Sequence, residues 1–93
     1  MIIKKHLTIS GKVQGVSFRY WLQSQANKKG VCGWVKNKMS GDVEVLIVGK
    51  KNEIQELIML CEKGPSTAII DRIQINDYKK DYLEKGFDII KSD

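Results

Sequence analysis

The stretch 31-VCGWVKNKMSGDVEVLIV-48 decides the fold. Its two ends, Val31 to Lys36 and Val43 to Val48, are rich in β-branched and apolar residues. The segment between them, Asn37 to Asp42, carries the polar and glycine residues that favour turns. This pattern predicts a β-hairpin. Because a helical pattern lies on each side of it, the hairpin supplies the second and third strands of the chain.

The residues before the hairpin predict a strand, a loop and a helix. Lys5 to Gly11 alternates apolar and polar residues, which is typical of a half-buried strand. A loop punctuated by two glycines, Gly11 to Ser17, comes next. The helix runs from about Phe18 to Lys29, since apolar residues recur at i, i+4 and i+8, and Gly30 suits a left-handed C-cap.

The residues after the hairpin predict a second helix and two more strands. Asn52 is expected to be the N-cap of this helix, and Lys63, Gly64 and Pro65 end it. Its apolar face follows the i, i+3, i+4, i+7 pattern through Ile54, Leu57, Ile58 and Cys61. A fourth strand is predicted from about Ile69 to Ile75, then a polar loop from Asp77 to Gly86, and a short last strand at Phe87 and Ile89.

The order β-α-β-β-α-β-β predicts an α+β fold of the ferredoxin-like, split βαβ type. Two helices are expected on one face of a mainly antiparallel sheet of four to five strands. In such a sheet the first and second strands run parallel on either side of the third. Their C-terminal ends therefore meet, which predicts that the loop from Gln14 to Arg19 lies close to Asn37.

Composition limits the range of functions. The 93 residues fit a single domain, 1–93, with 42% hydrophobic and 29% charged residues. The net charge of +5 suits an anionic partner, but the lysines occur as scattered pairs rather than one block. No apolar run has the length of a signal peptide or a membrane span. We therefore expect a soluble, cytoplasmic protein whose two cysteines are reduced, with a monomer as the simplest state.

The loop between the first strand and the first helix is a candidate anion site. Gly11 and Gly15 allow successive N–H groups to converge, and the start of the helix adds unpaired donors. Arg19, one turn into the helix, can bind two phosphoryl oxygens at once. A plain strand-to-helix turn with a surface arginine explains the same spacing, and Asn37 alone is most simply a turn residue. Their expected meeting at one end of the sheet favours a shared site.

Two motifs resemble those of the acylphosphatase family. The run Gly11-Lys12-Val13-Gln14-Gly15-Val16-Ser17-Phe18-Arg19 is similar to its signature, glycine-x-valine-glutamine-glycine-valine-x-phenylalanine-arginine. Its second motif is similar to Gly33-Trp34-Val35-Lys36-Asn37 followed by Gly41-Asp42-Val43-Glu44. Gly64-Pro65 and Phe87-Asp88-Ile89 also fit, so the resemblance covers nearly the whole chain. The departures are Lys38, where many members carry a small polar residue, and the tail Lys91-Ser92-Asp93, which lacks an aromatic ending.

The resemblance implies an enzyme that hydrolyses small acyl phosphates to a carboxylate and inorganic phosphate. It implies that Arg19 binds the phosphoryl group and that Asn37 orients the attacking water. The phosphate cradle would consist of the main-chain amides of Gln14, Gly15, Val16, Ser17, Phe18 and Arg19. No cofactor or metal is implied, since no cluster of Asp, Glu and His lies near the two motifs. Acylphosphatase-like domains also occur inside larger enzymes that handle carbamoyl phosphate, so a non-hydrolytic interaction domain or such a carbamoyl-phosphate-handling domain is the alternative.

A nucleic-acid-binding module is the second rival, because the RNA-recognition fold shares this order of elements. The third strand of that fold carries stacking aromatics, whereas Val43 to Val48 has none. We therefore expect neither nucleic acid nor membrane as a partner. Other candidate residues have simpler structural explanations: packing for Trp21, Trp34, Cys32 and Cys61, a bystander position in mid-strand for His6, and anchoring of the last loop for Tyr78 and Tyr82.

Overall fold

One mixed sheet of five strands carries the two helices. The computed structural model describes residues 1–93. Its elements are β1 (Ile2–Lys12), α1 (Phe18–Lys29), β2 (Cys32–Asn37), β3 (Val43–Lys50), α2 (Lys51–Lys63), β4 (Ile69–Asp77) and β5 (Phe87–Ile89). The strand order is β4-β1-β3-β2-β5, with β5 parallel to β2 and every other pair antiparallel. This confirms the predicted ferredoxin-like α+β fold, and the fifth strand adds to the edge beside β2.

The hydrophobic core lies between the sheet and the two helices. Alternating residues of the strands face the helices, and the apolar stripes of α1 and α2 cover them. The fully buried members include Leu7, Ile9, Val35, Val43, Val45 and Ile47 from the strands, and Phe18, Leu22, Ala26, Ile54, Leu57 and Cys61 from the helices. The helical periodicities predicted from the sequence therefore mark the core correctly. Neither helix is long and apolar enough to cross a membrane.

The helix boundaries agree with the sequence at α1 and disagree at the start of α2. Gly30 is the left-handed C-cap of α1, with φ 69°. The expected N-cap Asn52 is wrong: it lies inside α2, whose N-cap is Lys50 and has no side-chain cap. Lys50 still pairs with Ile2 as the last residue of β3, and the N–H of Lys51 donates to Met1 O. Strand pairing, not a capping side chain, sets where α2 begins.

The other face of the sheet is crossed by the segment from Tyr78 to Gly86. Lys4 Nζ donates to the main-chain oxygen of Lys80, and Tyr82 Oη donates to Gly33 O at 3.4 Å. The expected anchoring role fits Tyr82, whereas Tyr78 is held by its main-chain N–H, which donates to Lys4 O. This segment carries the chain from β4 at one edge to β5 at the other.

Pairing with β3 brings the ends of β1 and β2 to the same end of the sheet. Ile9 and Asn37 both lie opposite Val43, one on each side of it. Beyond this row β1 continues to Lys12 through a change of register at Gly11, where φ is 131° and a Cβ would collide with the main chain of β4. The bulge bends the end of β1, and the chain then enters the loop that leads to α1.

Candidate active site

The loop from Val13 to Ser17 joins β1 to α1 with two residues in the left-handed conformation. They are Gly15, with φ 73°, and Ser17, with φ 63°. Ser17 is the only residue other than glycine with a positive φ, and this costs roughly 1–2 kcal/mol. Val13 and Phe18, at the two ends of the loop, are buried in the core and fix its path.

The main-chain donors of this loop are free. None of the N–H groups from Gln14 to Arg19 donates a hydrogen bond to another group of the protein. The first helical bond runs from Trp21 N to Ser17 O, at 3.0 Å. Free N–H groups at the start of a helix, together with the positive end of its dipole, favour an anion.

Arg19 lies in the first turn of α1, half-buried, and its guanidinium has no ion pair or hydrogen bond with the protein. A concavity of about 210 Å³ opens beside it, which leaves room for several heavy atoms since one water takes about 30 Å³. Its lining residues are Val13, Gly15, Ser17, Phe18, Arg19 and Tyr20. Of the predicted cradle, Gln14 and Val16 do not line this concavity.

Asn37 is the last residue of β2, and the alternation of the strand places its side chain on the helix-facing side with Val35 and Val43. Its Oδ1 is buried and accepts no hydrogen bond. A buried acceptor without a partner costs about 1–3 kcal/mol, so this side chain is not explained by turn formation. Asn37 does not line the concavity beside Arg19. It lies at the end of β2, which β3 separates from β1.

The side chain of Gln14 connects the loop to that strand end. Its Nε2 donates to Lys38 O at 2.7 Å and to Asp42 O at 2.8 Å. These two carbonyls belong to the β2–β3 turn, which is itself closed by a bond from Lys38 N to Asp42 O. The sequence motifs predict a role for the main-chain amide of Gln14 alone. The signal for this contact was a polar side chain in a loop that the predicted topology places beside the β2–β3 turn.

A network of charged side chains lies on the opposite face of the sheet, behind Asn37. Glu44 contacts His6 as well as the ammonium groups of Lys36 and Lys38, and both lysines also pair with Asp93. Hydrogen bonds to Asp93 raise the pKa of both lysines. Partial burial disfavours the charged form of Glu44, but hydrogen bonds from His6 and Lys38 outweigh it and hold the pKa of this carboxyl below its usual value.

This network shows what His6, Lys38 and Asp93 contact. His6 binds Glu44 on the face away from the helices and does not reach the loop, which agrees with a bystander position. Lys38 is occupied by Asp93, at 2.6 Å, and by Glu44, at 3.3 Å. Asp93 also donates its main-chain N–H to Asn37 O, so the tail continues the contact of β5 with β2 as far as Asn37.

The largest cavity lies elsewhere. It measures about 570 Å³ and sits at the far end of the sheet, between the end of α1 and the beginning of α2. Three lysines, Lys28, Lys29 and Lys50, stand around it, and it contains none of the predicted site residues. Although it is the largest cavity, it is not the candidate active site, because the predicted residues lie elsewhere.

Comparison with known proteins agrees with the geometry. The family model described as Acylphosphatase matches residues 5–89. The chain belongs to the acylphosphatase family. An acylphosphatase of Roseiflexus sp. strain RS-1 is 38% identical over 87 residues, which cover 94% of each chain. The crystal structure of acylphosphatase from Bacillus subtilis matches with a TM-score of 0.90 at 31% identity, over 97% of this chain and 99% of that one.

Full-length HypF, in a phosphate- and nucleotide-bound form, also contains this fold. The match has a TM-score of 0.89 at 30% identity and covers all of this chain but 12% of HypF. The acylphosphatase family hydrolyses acyl phosphates, and the predicted family, fold and enzyme class are confirmed.

Proposed function

We propose that the free amides from Gln14 to Arg19 and the Arg19 guanidinium bind the phosphoryl group of an acyl phosphate, and that Asn37 orients the attacking water. The observation that carries the proposal is that none of these N–H groups has an acceptor in the protein. Arg19 likewise has no protein partner beside the same loop. A row of unpaired donors with a planar cation suits a group with three charged oxygens.

The buried Oδ1 of Asn37 supports the second role. An amide oxygen accepts a hydrogen bond from one O–H of a water molecule and so directs the lone pair of that water. The Gln14 side chain ties the strand end that carries Asn37 to the loop from Gln14 to Arg19, here called the phosphate loop. This keeps the oxygen that would accept from the water at a fixed place relative to the phosphoryl group. Asn37 is neither acid nor base near neutral pH, so its contribution is positional.

Hydrolysis of an acyl phosphate needs few catalytic groups beyond these. The leaving group is a carboxylate, whose conjugate acid has a pKa of about 4, so it departs without a proton. The bond from phosphorus to its oxygen breaks as the water oxygen bonds to phosphorus, and the protons of the water leave on the inorganic phosphate. Phosphoryl transfer passes through a loose transition state, and catalysis rests on positioning and charge stabilisation. The loop amides, Arg19 and Asn37 supply both, and the reaction needs no general acid, cofactor or metal ion.

Substitution of Asn37 and Arg19 separates binding from turnover. Asn37→Ala should lower kcat on an aryl acyl phosphate by about two to three orders of magnitude, as for the loss of one preorganised hydrogen-bonding group in the transition state, while inorganic phosphate binds as in the wild type. Arg19→Ala should weaken both phosphate binding and kcat, and Arg19→Lys should not restore them, because an ammonium cannot bind two oxygens in one plane.

Matched controls are available on the surface. Asn27 is exposed on α1, and Arg72 is exposed on β4. Asn27→Ala and Arg72→Ala should leave both quantities unchanged. An equal loss of phosphate affinity in Asn37→Ala would contradict its role with water, and an active Arg19→Lys would contradict bidentate binding.

We further propose a monomeric, cytoplasmic enzyme in which residues 1–93 form one domain, with no nucleic acid or membrane as a partner. The match to a small part of HypF favours one alternative, a non-hydrolytic interaction domain or a carbamoyl-phosphate-handling domain. Phosphate release from a simple aryl acyl phosphate by the purified 93-residue chain distinguishes the two, since only the hydrolase turns over.

A further inference from the structure

The phosphate loop has a contact from a distant part of the chain that neither motif contains. Thr67, in the connection between α2 and β4, donates its hydroxyl to the main-chain oxygen of Val16 at 2.7 Å. The two residues are 51 positions apart. This is the only side-chain hydrogen bond that a residue outside the loop donates to a carbonyl of the loop.

The hydrogen bond from Thr67 to Val16 O also orients the N–H of Ser17. Val16 O and the N–H of Ser17 belong to one planar, trans peptide unit, in which the two groups point in opposite directions. A donor that holds Val16 O on the side of Thr67 therefore aims the N–H of Ser17 away from Thr67. That N–H has no acceptor in the protein, and Ser17 lines the concavity beside Arg19.

Rotation of the Val16–Ser17 peptide unit would relieve backbone strain. Ser17 is held at φ 63°, the one left-handed residue of the chain that is not glycine. Rotation of the Val16–Ser17 peptide unit would release this conformation and swing the Ser17 N–H out of the cradle. The side chain of Ser17 makes no capping bond that resists such a rotation, so the hydroxyl of Thr67 is the group positioned to prevent it.

We infer that Thr67 is a positioning residue of the phosphate site, which holds the Val16–Ser17 peptide unit so that the Ser17 N–H faces the phosphoryl group. The inference rests on the proposed role of the loop amides. It adds a residue outside both motifs, in a different connection of the fold, to the machinery that binds phosphate. Thr67 itself does not touch the substrate.

Three variants test the role. Thr67→Val keeps the shape and removes the donor, Thr67→Ser keeps the hydroxyl, and Ser66→Ala alters the adjacent exposed residue, which makes no hydrogen bond. The Kd of inorganic phosphate and the shift of the Ser17 amide signal on saturation are measured by ¹⁵N NMR, together with kcat/KM on an aryl acyl phosphate. Because Thr67 is exposed, all three variants should fold, which circular dichroism checks.

Thr67→Val should raise the phosphate Kd by about three- to ten-fold, the size of one hydrogen bond, and reduce the shift of the Ser17 amide. Thr67→Ser should restore both, and Ser66→Ala should change neither. An unchanged Kd and Ser17 shift in Thr67→Val, even with lower stability, would overturn the inference, as would an equal loss in Ser66→Ala. If phosphate leaves the Ser17 signal of the wild type unmoved, the proposed cradle itself fails, and the inference falls with it.

Discussion

The side-chain amide of Gln14 and the main-chain carbonyl of Lys38 lie 2.7 Å apart. This hydrogen bond joins the loop before α1 to the residue that directly follows Asn37. A second bond from the same nitrogen reaches Asp42 O, at the other side of the β2–β3 turn. One side chain therefore joins the two halves of the proposed active site.

Gln14→Met should lower kcat/KM on an aryl acyl phosphate by about ten-fold or more. Methionine has a similar length but no donor, so the turn loses two hydrogen bonds, and stability should fall by about 1–3 kcal/mol. Enzyme kinetics and urea unfolding measure the two effects. Gln55→Met, at an exposed position of α2, is the control. Activity that survives in Gln14→Met would show that the loop and the turn hold their places without this bond.

Stability should depend on the ionisation of Glu44. Its pKa in the folded protein is lowered from an ordinary value of 4.5, so the folded state favours the charged form. This contribution is fully present above pH 4.5 and is lost as the pH falls through the lowered pKa. The wild type should therefore exceed Glu44→Gln in unfolding free energy near neutral pH, and the difference should shrink in acid.

Urea unfolding at several pH values between 7 and 3 measures this dependence. Asp77, whose pKa is lowered by its hydrogen bond with Lys5, lies outside this network and keeps its share in both proteins. Glu62→Gln, at an exposed position of α2 without an ion pair, should follow the wild type at every pH. A difference between wild type and Glu44→Gln that stays constant in acid would contradict the assignment.

The two thiols should react at different rates. Burial raises the pKa of Cys61 to about 12, so its thiolate is scarce and shielded, whereas Cys32 is half-buried at the start of β2. A disulfide reagent at pH 8 should modify one thiol of the folded protein and the second only after unfolding. Cys32→Ser should abolish the fast reaction. Two thiols that react equally fast in the folded state would refute the buried position of Cys61.

The sequence predicted what depends on local patterns. The extent of α1 follows from three apolar residues at helical spacing and from Gly30, which needs no partner from elsewhere in the chain. The meeting of the phosphate loop with Asn37 follows from the order of the strands alone. Both remain valid because periodicity and topology carry the information.

Contacts between distant segments of the chain could not be predicted from the sequence. The start of α2 was misplaced at Asn52 because the helix follows β3 without a break, and the partner of Lys51 is Met1, 50 positions earlier. The side-chain contacts of Gln14 and Thr67 depend on which turns the fold brings beside the loop. No spacing within a single segment encodes such pairs, and the parallel pairing of β5 with β2 is of the same kind.

β1 lies in the interior of the sheet, and its pairings with β3 and β4 affect when activity appears during folding. This strand is paired with β3 on one side and with β4 on the other, and the contact between Lys5 and Asp77 closes a loop of 72 positions. Pairings of such long range are slow to form. Thr67 reaches the phosphate loop from the segment that leads into β4, so a growing chain contains both proposed catalytic residues, Arg19 and Asn37, long before it can place them. Recovery of activity after denaturation therefore reports the completed sheet, and an early collapsed chain should be inactive.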